Sequence, residues 1–133
     1  MILFDTSAII DFLKGGVKTK SIVEELESNR ESVYTTVISQ YELLTPVYHK
    51  RMKVEERNIR AFLRQSIVFP LDPNSAEKAS RIMGSLYKLG LPINALDTMI
   101  AGIAIETGTD KIATLDRDFI QIAKVTDLDM III

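Results

Sequence analysis

The chain has 133 residues, 47% of them hydrophobic and 26% charged, which supplies enough apolar side chains for the core of one domain over residues 1–133. It has no cysteine and a single histidine, His49, which excludes disulfides, thiolate zinc sites and multi-histidine metal sites and leaves carboxylates as the main reactive resource. A formal charge of −2 gives no global attraction for nucleic acid, so a polyanionic substrate has to be held by a local basic patch and metal ions.

Residues 1–4 are apolar and reach Asp5 with no basic leader or small-residue cleavage site. No apolar run approaches the roughly 20 residues needed to cross a bilayer. The expectation is a cytoplasmic protein with no membrane partner. Residues 1–4 read as a short buried strand and 6–14 as a helix closed by Gly15-Gly16, followed by a second helix over 17–27. Residues 32–36 are β-rich. Ser39-Gln40-Tyr41-Glu42 then forms a capping-box pattern that predicts a helix start, with the helix running towards His49.

Residues 54–65 place Val54, Ile59 and Phe62 at helical spacing, with Arg57, Arg60 and Arg64 on another face. Residues 67–69 read as a strand. Asp72 before Pro73 suits a helix cap and first position, and that helix extends to about Leu89, where Gly90 stops it. Asn94 caps the next helix, which runs through Ile100 and Ile103 to Gly108. Residues 111–114 and 130–133 are the last strands, separated by a short 116–122 segment. Five apolar strands alternate with helices and no hairpin signal joins them. This pattern predicts an α/β fold, a parallel sheet with helices on both faces, with ligands beyond the carboxyl ends of the strands.

Asp5 directly follows the first strand, and Asp116 lies two residues after the strand ending at Thr114, so both are expected at that edge. The segments around Asp5, Glu42 and Asp97 contain no basic residue, and Arg117 adjoins only Asp116. If these acids converge, each like-charged pair about 4 Å apart costs on the order of 4 kcal/mol at an effective dielectric near 20, so the cluster must be protonated or metal-bound. Oxygen-only ligation favours Mg²⁺ or Mn²⁺, which accept phosphate oxygens and acidify a water for in-line attack on a phosphodiester. Each acid also has a purely local reading. Asp5 and Asp116 suit helix N-caps, Glu42 completes a capping box with Ser39, and Asp97 sits in the first turn after Asn94, where the helix dipole favours an anion. Spacing places Asp97 least directly, because no strand precedes its helix.

Four segments resemble the PIN domains and, within them, the VapC-type toxins of prokaryotic toxin–antitoxin pairs. Met1-Ile2-Leu3-Phe4-Asp5-Thr6-Ser7 resembles the opening strand and Asp-Thr-Asn/Ser turn, and Ser39-Gln40-Tyr41-Glu42-Leu43 the Ser/Thr-x-x-Glu helix start. Leu96-Asp97-Thr98-Met99-Ile100-Ala101 resembles the Asp-x-x-Ile-Ala segment, and Ala113-Thr114-Leu115-Asp116-Arg117-Asp118-Phe119 the closing Thr-x-Asp-x-Asp-Phe segment. The departures are Ser7, where asparagine is frequent, and Gly102, where alanine is frequent.

The resemblance implies a three-layer α/β/α sandwich with strand order 3-2-1-4-5 and cleavage of single-stranded RNA assisted by Mg²⁺ or Mn²⁺. It implies Asp5, Glu42 and Asp97 as the core metal ligands, Asp116 as a fourth acid, and Asp118 as a supporting acid or ligand to a second ion. Thr6 and Thr114 would orient the carboxylates through their hydroxyls. A homodimer and a small antitoxin partner are implied as well, the latter seated in an apolar groove near Ile9, Phe12 and Leu13.

The Arg57, Arg60 and Arg64 face reads either as a solvated surface paired with Glu55 and Glu56 or as an RNA-backbone contact. His49 beside Tyr48 suits a helix end better than a general base. An aspartyl-nucleophile phosphatase needs a second acid where Ser7 stands, and a phospho-receiver needs an acidic pair after the first strand. An inactive PIN-like module that binds RNA or protein is the alternative outside enzymes, and it would be marked by a missing acid.

Overall fold

A computed structural model describes residues 1–133. Five short strands, β1 (Ile2–Phe4), β2 (Tyr34–Thr36), β3 (Ile67–Phe69), β4 (Lys111–Thr114) and β5 (Asp129–Ile132), form one sheet in the order β3-β2-β1-β4-β5, and every pairing is parallel. This is the α/β architecture and strand order that the resemblance implied. Parallel strands require crossovers, and seven helices supply them: α1 (Thr6–Leu13), α2 (Val17–Ser28), α3 (Val37–Lys50), α4 (Lys53–Gln65), α5 (Pro73–Lys88), α6 (Ala95–Glu106) and α7 (Asp118–Lys124). No helix is long and apolar enough to cross a membrane.

Strand alternation divides the core into two layers. Leu3 and Ile112 pair across β1 and β4 and point to one face, where Ile82, Leu86, Ile100, Ile103, Phe119 and Ile122 cover them from α5, α6 and α7. Phe4 and Ala113, one residue on, point to the other face, against Ala8, Ile9, Val23, Leu26, Leu43 and Phe62 from α1 to α4. Both faces of the central strands are therefore dry, as a parallel sheet requires. Their carboxyl ends are the part of those strands left to project a polar side chain.

Strands over 67–69 and 111–114 fall where the apolar runs predicted them. The start of α3 does not. Its N-cap is Thr36, whose hydroxyl accepts from the Ser39 amide at 3.1 Å, so Ser39 lies inside the helix and buried, and Glu42 stands well into it. The Ser39–Glu42 capping box is thus replaced by a cap three residues earlier, which frees the Glu42 carboxylate for a tertiary contact. The segment expected from residue 116 becomes helical at Asp118, because Asp116 turns its carboxylate onto the Asp118 amide (2.9 Å) and closes a turn first.

Candidate metal centre

Asp5 leaves β1 in an extended conformation as the N-cap of α1, and one of its oxygens accepts from the Ala8 amide at 2.9 Å. The local capping reading of this acid is correct, but it accounts for only part of the carboxylate's environment. Ser7 Oγ donates to the same oxygen at 2.7 Å, and Thr114 Oγ1, at the end of β4, donates to the other at 2.5 Å. The Thr114 hydroxyl in turn accepts from the Asp116 amide (2.9 Å), and Ser7 Oγ accepts from the Leu115 amide (2.9 Å). The neighbouring ends of β1 and β4 are thus laced together around one buried acid, 3% exposed.

Glu42 enters from α3. Its Oε1 accepts from Thr6 Oγ1 at 2.7 Å, and the same threonine oxygen lies 3.0 Å from Ser39 Oγ. Asp97 enters from the first turn of α6, after the Asn94 cap, so the dipole expectation for its position also holds. Asp97, Asp116 and Asp118 bring one carboxylate oxygen each to within 4.8 Å of one another.

The electrostatics bind these groups into one site. The Asp97 pKa is pushed up to about 7 by burial first, then by the negative charges of Asp116, Asp5 and Glu42, and by a hydrogen bond to Asp116 that favours its protonated form. Asp5 is also raised, because burial outweighs the stabilising hydrogen bonds from Thr114, Ala8 and Ser7, and Asp116 adds repulsion. No cation offsets this. The ion pairs of the fold involve Asp110, Glu56, Glu106 and Glu77, and none reaches Asp5, Glu42, Asp97, Asp116 or Asp118. Carboxylates whose charges raise the pKa of Asp97 and Asp5, with no basic partner, fit a hard divalent cation held through oxygen.

Of the predicted acids, Asp97 and Asp116 converge together with Asp118, while Asp5 and Glu42 lie outside that close group and reach it as charges that raise the Asp97 pKa. Thr6 donates to Glu42 and Thr114 to Asp5. Ser7 and Ser39 were not picked out as orienting groups. The signal for Ser7 was its place two residues after Asp5, where its hydroxyl returns to the carboxylate in a local turn. His49 is exposed in the last turn of α3, about two turns beyond Glu42, and takes no part in the cluster. Of the arginine face, Arg60 is tied to Glu56 (2.7 Å) and Tyr48 (3.0 Å), while Arg57 and Arg64 are exposed.

The apolar groove differs in its lining from the expectation. Ile9 is fully buried and Phe12 packs on Phe62, with ring centroids 5.6 Å apart. The opposite side of α1 lines a groove of about 290 Å³, where Ile10 and Leu13 face Pro46, Val47, Met52 and Ile59, with Lys14 and Glu42 also in its wall. Both sides of α1 are apolar, so periodicity alone did not separate the core side from the groove side.

The PIN domain family model matches residues 2–125. No curated protein sequence matches the chain significantly. Among solved structures, the chain is similar to VapBC2 of Rickettsia felis bound to a promoter DNA fragment, at 18% identity and a TM-score of 0.86, over 100% of this chain and 99% of the other. It is similar to FitAcB of Neisseria gonorrhoeae at 25% identity and 0.75, over 98% and 96%. It also resembles VapC20 of Mycobacterium tuberculosis, described as a sarcin-ricin loop cleaving toxin, at 13% identity and 0.66, over 96% and 98%.

Proposed function

The chain belongs to the PIN domain family, and from that premise we propose that it is a metal-dependent endoribonuclease acting on single-stranded RNA in the cytoplasm, the toxin of a toxin–antitoxin pair. The observation that carries the reading is the convergence of Asp97, Asp116 and Asp118 without a cationic partner, with the charges of Asp116, Asp5 and Glu42 and burial driving Asp97 to a pKa of about 7. Asp5, Glu42 and Asp97 are assigned as core ligands to Mg²⁺ or Mn²⁺, with Asp116 as the fourth acid and Asp118 beside it. When bound, the divalent ion supplies Lewis acidity and an acidified water for attack on a phosphodiester.

The protein's own groups set the ligands in place. Thr114 and Ser7 fix both oxygens of Asp5, and Thr6 fixes Glu42, so neither carboxylate has to be ordered at the moment of binding. With its pKa at about 7, Asp97 is partly protonated in the ion-free protein at neutral pH, and a bound cation would favour its ionised form. The relative described as cleaving the sarcin-ricin loop supports RNA as the substrate class. An inactive binding module of the same fold is disfavoured because no acid of the set is missing.

The VapBC neighbours support a small antitoxin partner. The groove between α1, α3 and α4 is the surface proposed for it, since it is apolar and its wall includes Glu42. A homodimer belongs to the same reading, with the exposed Tyr87 and Leu89 at the end of α5 as apolar surface. Asp97→Asn tests the nuclease directly. The variant is expected to keep its circular dichroism spectrum and lose Mn²⁺-dependent cleavage of a single-stranded RNA by at least about a hundredfold, as removal of a group acting on the transition state does. Cleavage at the wild-type rate would overturn the assignment.

A further inference from the structure

The carboxylate cluster repels the polyanion it is proposed to cut, and the net charge offers no compensation. Something beside the acids must hold the strand. The outer surface of α3 and α4 carries groups suited to this. Tyr41 and Tyr48 are 62% and 72% exposed. They are seven residues apart on α3, hence about two turns and roughly 10 Å along one stripe. Tyr41 directly precedes Glu42, so one end of the stripe lies on the helical turn that carries this acid. An exposed tyrosine costs the fold apolar hydration without contributing to the core, and two of them in register form a pair of flat faces open to solvent.

The adjoining stripe is cationic. Arg60, on α4, donates to the Tyr48 hydroxyl at 3.0 Å and to Glu56 at 2.7 Å, which fixes its guanidinium at the tyrosine's edge. Arg64, one turn further along, is exposed and has no carboxylate within ion-pair distance. Together with Gln40, Leu44 and Val68 these two arginines line an open depression of about 260 Å³. Arg57 continues the exposed row in the other direction. Aromatic faces alternating with guanidinium groups form the combination by which proteins hold single-stranded nucleic acid. Bases stack on the rings and phosphates meet the cations, with no demand on sequence.

Resting on the nuclease reading above, we propose that Tyr41, Tyr48, Arg60 and Arg64 form a single-strand RNA track that leads to the carboxylate centre, with bases on the tyrosines and phosphates on the arginines. The track is a binding surface and takes no part in bond cleavage. A duplex, whose bases are already stacked on one another, gains only the arginine contacts there.

The experiment measures binding of labelled 12-nucleotide oligo(A) and oligo(U) RNA to the Asp97→Asn protein across 50–200 mM KCl. In that background Tyr41→Ala and Tyr48→Ala are each expected to weaken binding by about 5- to 150-fold, the range of one lost base stack. Arg64→Gln is expected to lower the dependence of log affinity on log salt by about 0.7, one single-strand phosphate contact. Tyr41→Phe, which keeps the ring, retains binding. In the otherwise wild-type chain the tyrosine variants raise KM for the 12-mer and leave kcat within a few-fold.

If the wild-type chain cleaves RNA while all three alanine and glutamine variants bind and cleave the 12-mer normally, the track is overturned and the nuclease reading stands. If the wild-type chain neither binds nor cleaves, the nuclease reading itself falls. Variants that leave RNA binding intact but dissociate a dimer or release a protein partner also overturn the track and assign this face to protein contact.

Discussion

Asp97 is the residue on which the site's electrostatics concentrate. Its folded-state pKa of about 7 lies above the ordinary value of 3.8, so the folded protein holds this proton over a pH range in which the unfolded chain has released it. The sign follows. Below about pH 4 both states are protonated and there is no penalty. Between about pH 4 and 7 the penalty grows as pH rises, and above 7 it is fully present. The bare shift corresponds to about 4 kcal/mol, but Asp97 is partly exposed and solvent screening reduces this to roughly 1–2 kcal/mol. The metal-free protein is therefore expected to be more stable at pH 5 than at pH 8 in urea unfolding with a chelator present. Asp97→Asn should flatten that slope and raise stability at pH 8 by a similar amount. An unchanged slope in the variant would show that Asp97 is not the strained group. Asp5, Glu42 and Asp97 were legible in the sequence because each lies in a segment without a nearby base, and Asp116 because it follows a strand end despite the adjacent Arg117. Ser7 was less so, because a serine in a turn just after an acid also suits an ordinary turn.

At the level of elements, the pairing of α5 with α6 turns on Gly102. A Cβ added there would lie 2.4 Å from the Ser75 carbonyl oxygen and 2.8 Å from the Ala79 amide nitrogen, both backbone atoms that cannot step aside without moving α5. Gly102 thus lets the backbones of the two helices approach closely. In the sequence the same glycine registered only as a departure from a frequent alanine. Gly102→Ala gains helix propensity of up to about 1 kcal/mol, but overpacking costs typically 1–3 kcal/mol. The clash with backbone decides the sign, so the variant is expected to melt several degrees lower. Because α6 also carries Asp97 in its first turn, a shift of α6 should weaken Mn²⁺ binding too. A melting temperature equal to or above wild type would show that α5 yields easily. The contrast between α6 and α3 explains what could be read in advance. Asn94 capping and the Gly108 stop are local and were visible in the residues. The start of α3 was displaced because Thr36, the last residue of β2, doubles as the cap, and a residue with two roles at a strand–helix junction matches neither pattern well.

The whole molecule is a means of holding acids that repel one another at one edge of a sheet. β1 and β4 are neighbours at the centre of the order β3-β2-β1-β4-β5, so their carboxyl ends bring Asp5 and the Thr114–Asp116 turn together, while α3 and α6 deliver Glu42 and Asp97 from sequence positions far from both. Parallel alternation of strands and helices was readable from the apolar runs. The approach of α6 to this edge was not, because it depends on packing of α5, α6 and α7 over one face and on no local motif. Two dry core layers must offset the repulsion in the ion-free state, and a bound cation should return that free energy to the fold. For a ligand that binds only the folded protein, a concentration of a hundred times Kd adds about 2.7 kcal/mol, on the order of 10 °C for a chain of this length. Titrating Mn²⁺ at pH 8 should therefore raise the melting temperature along a saturable curve. At pH 5.5 the same titration should need more metal, because Asp97 must first lose its proton. Asp97→Asn and Asp116→Asn should blunt the rise, whereas Asp110→Asn, at the opposite edge of the sheet where that acid meets the amino terminus, should leave it intact. A stabilisation of equal size in all three variants would place the cation elsewhere on the molecule and remove the physical reason for bringing these carboxylates together.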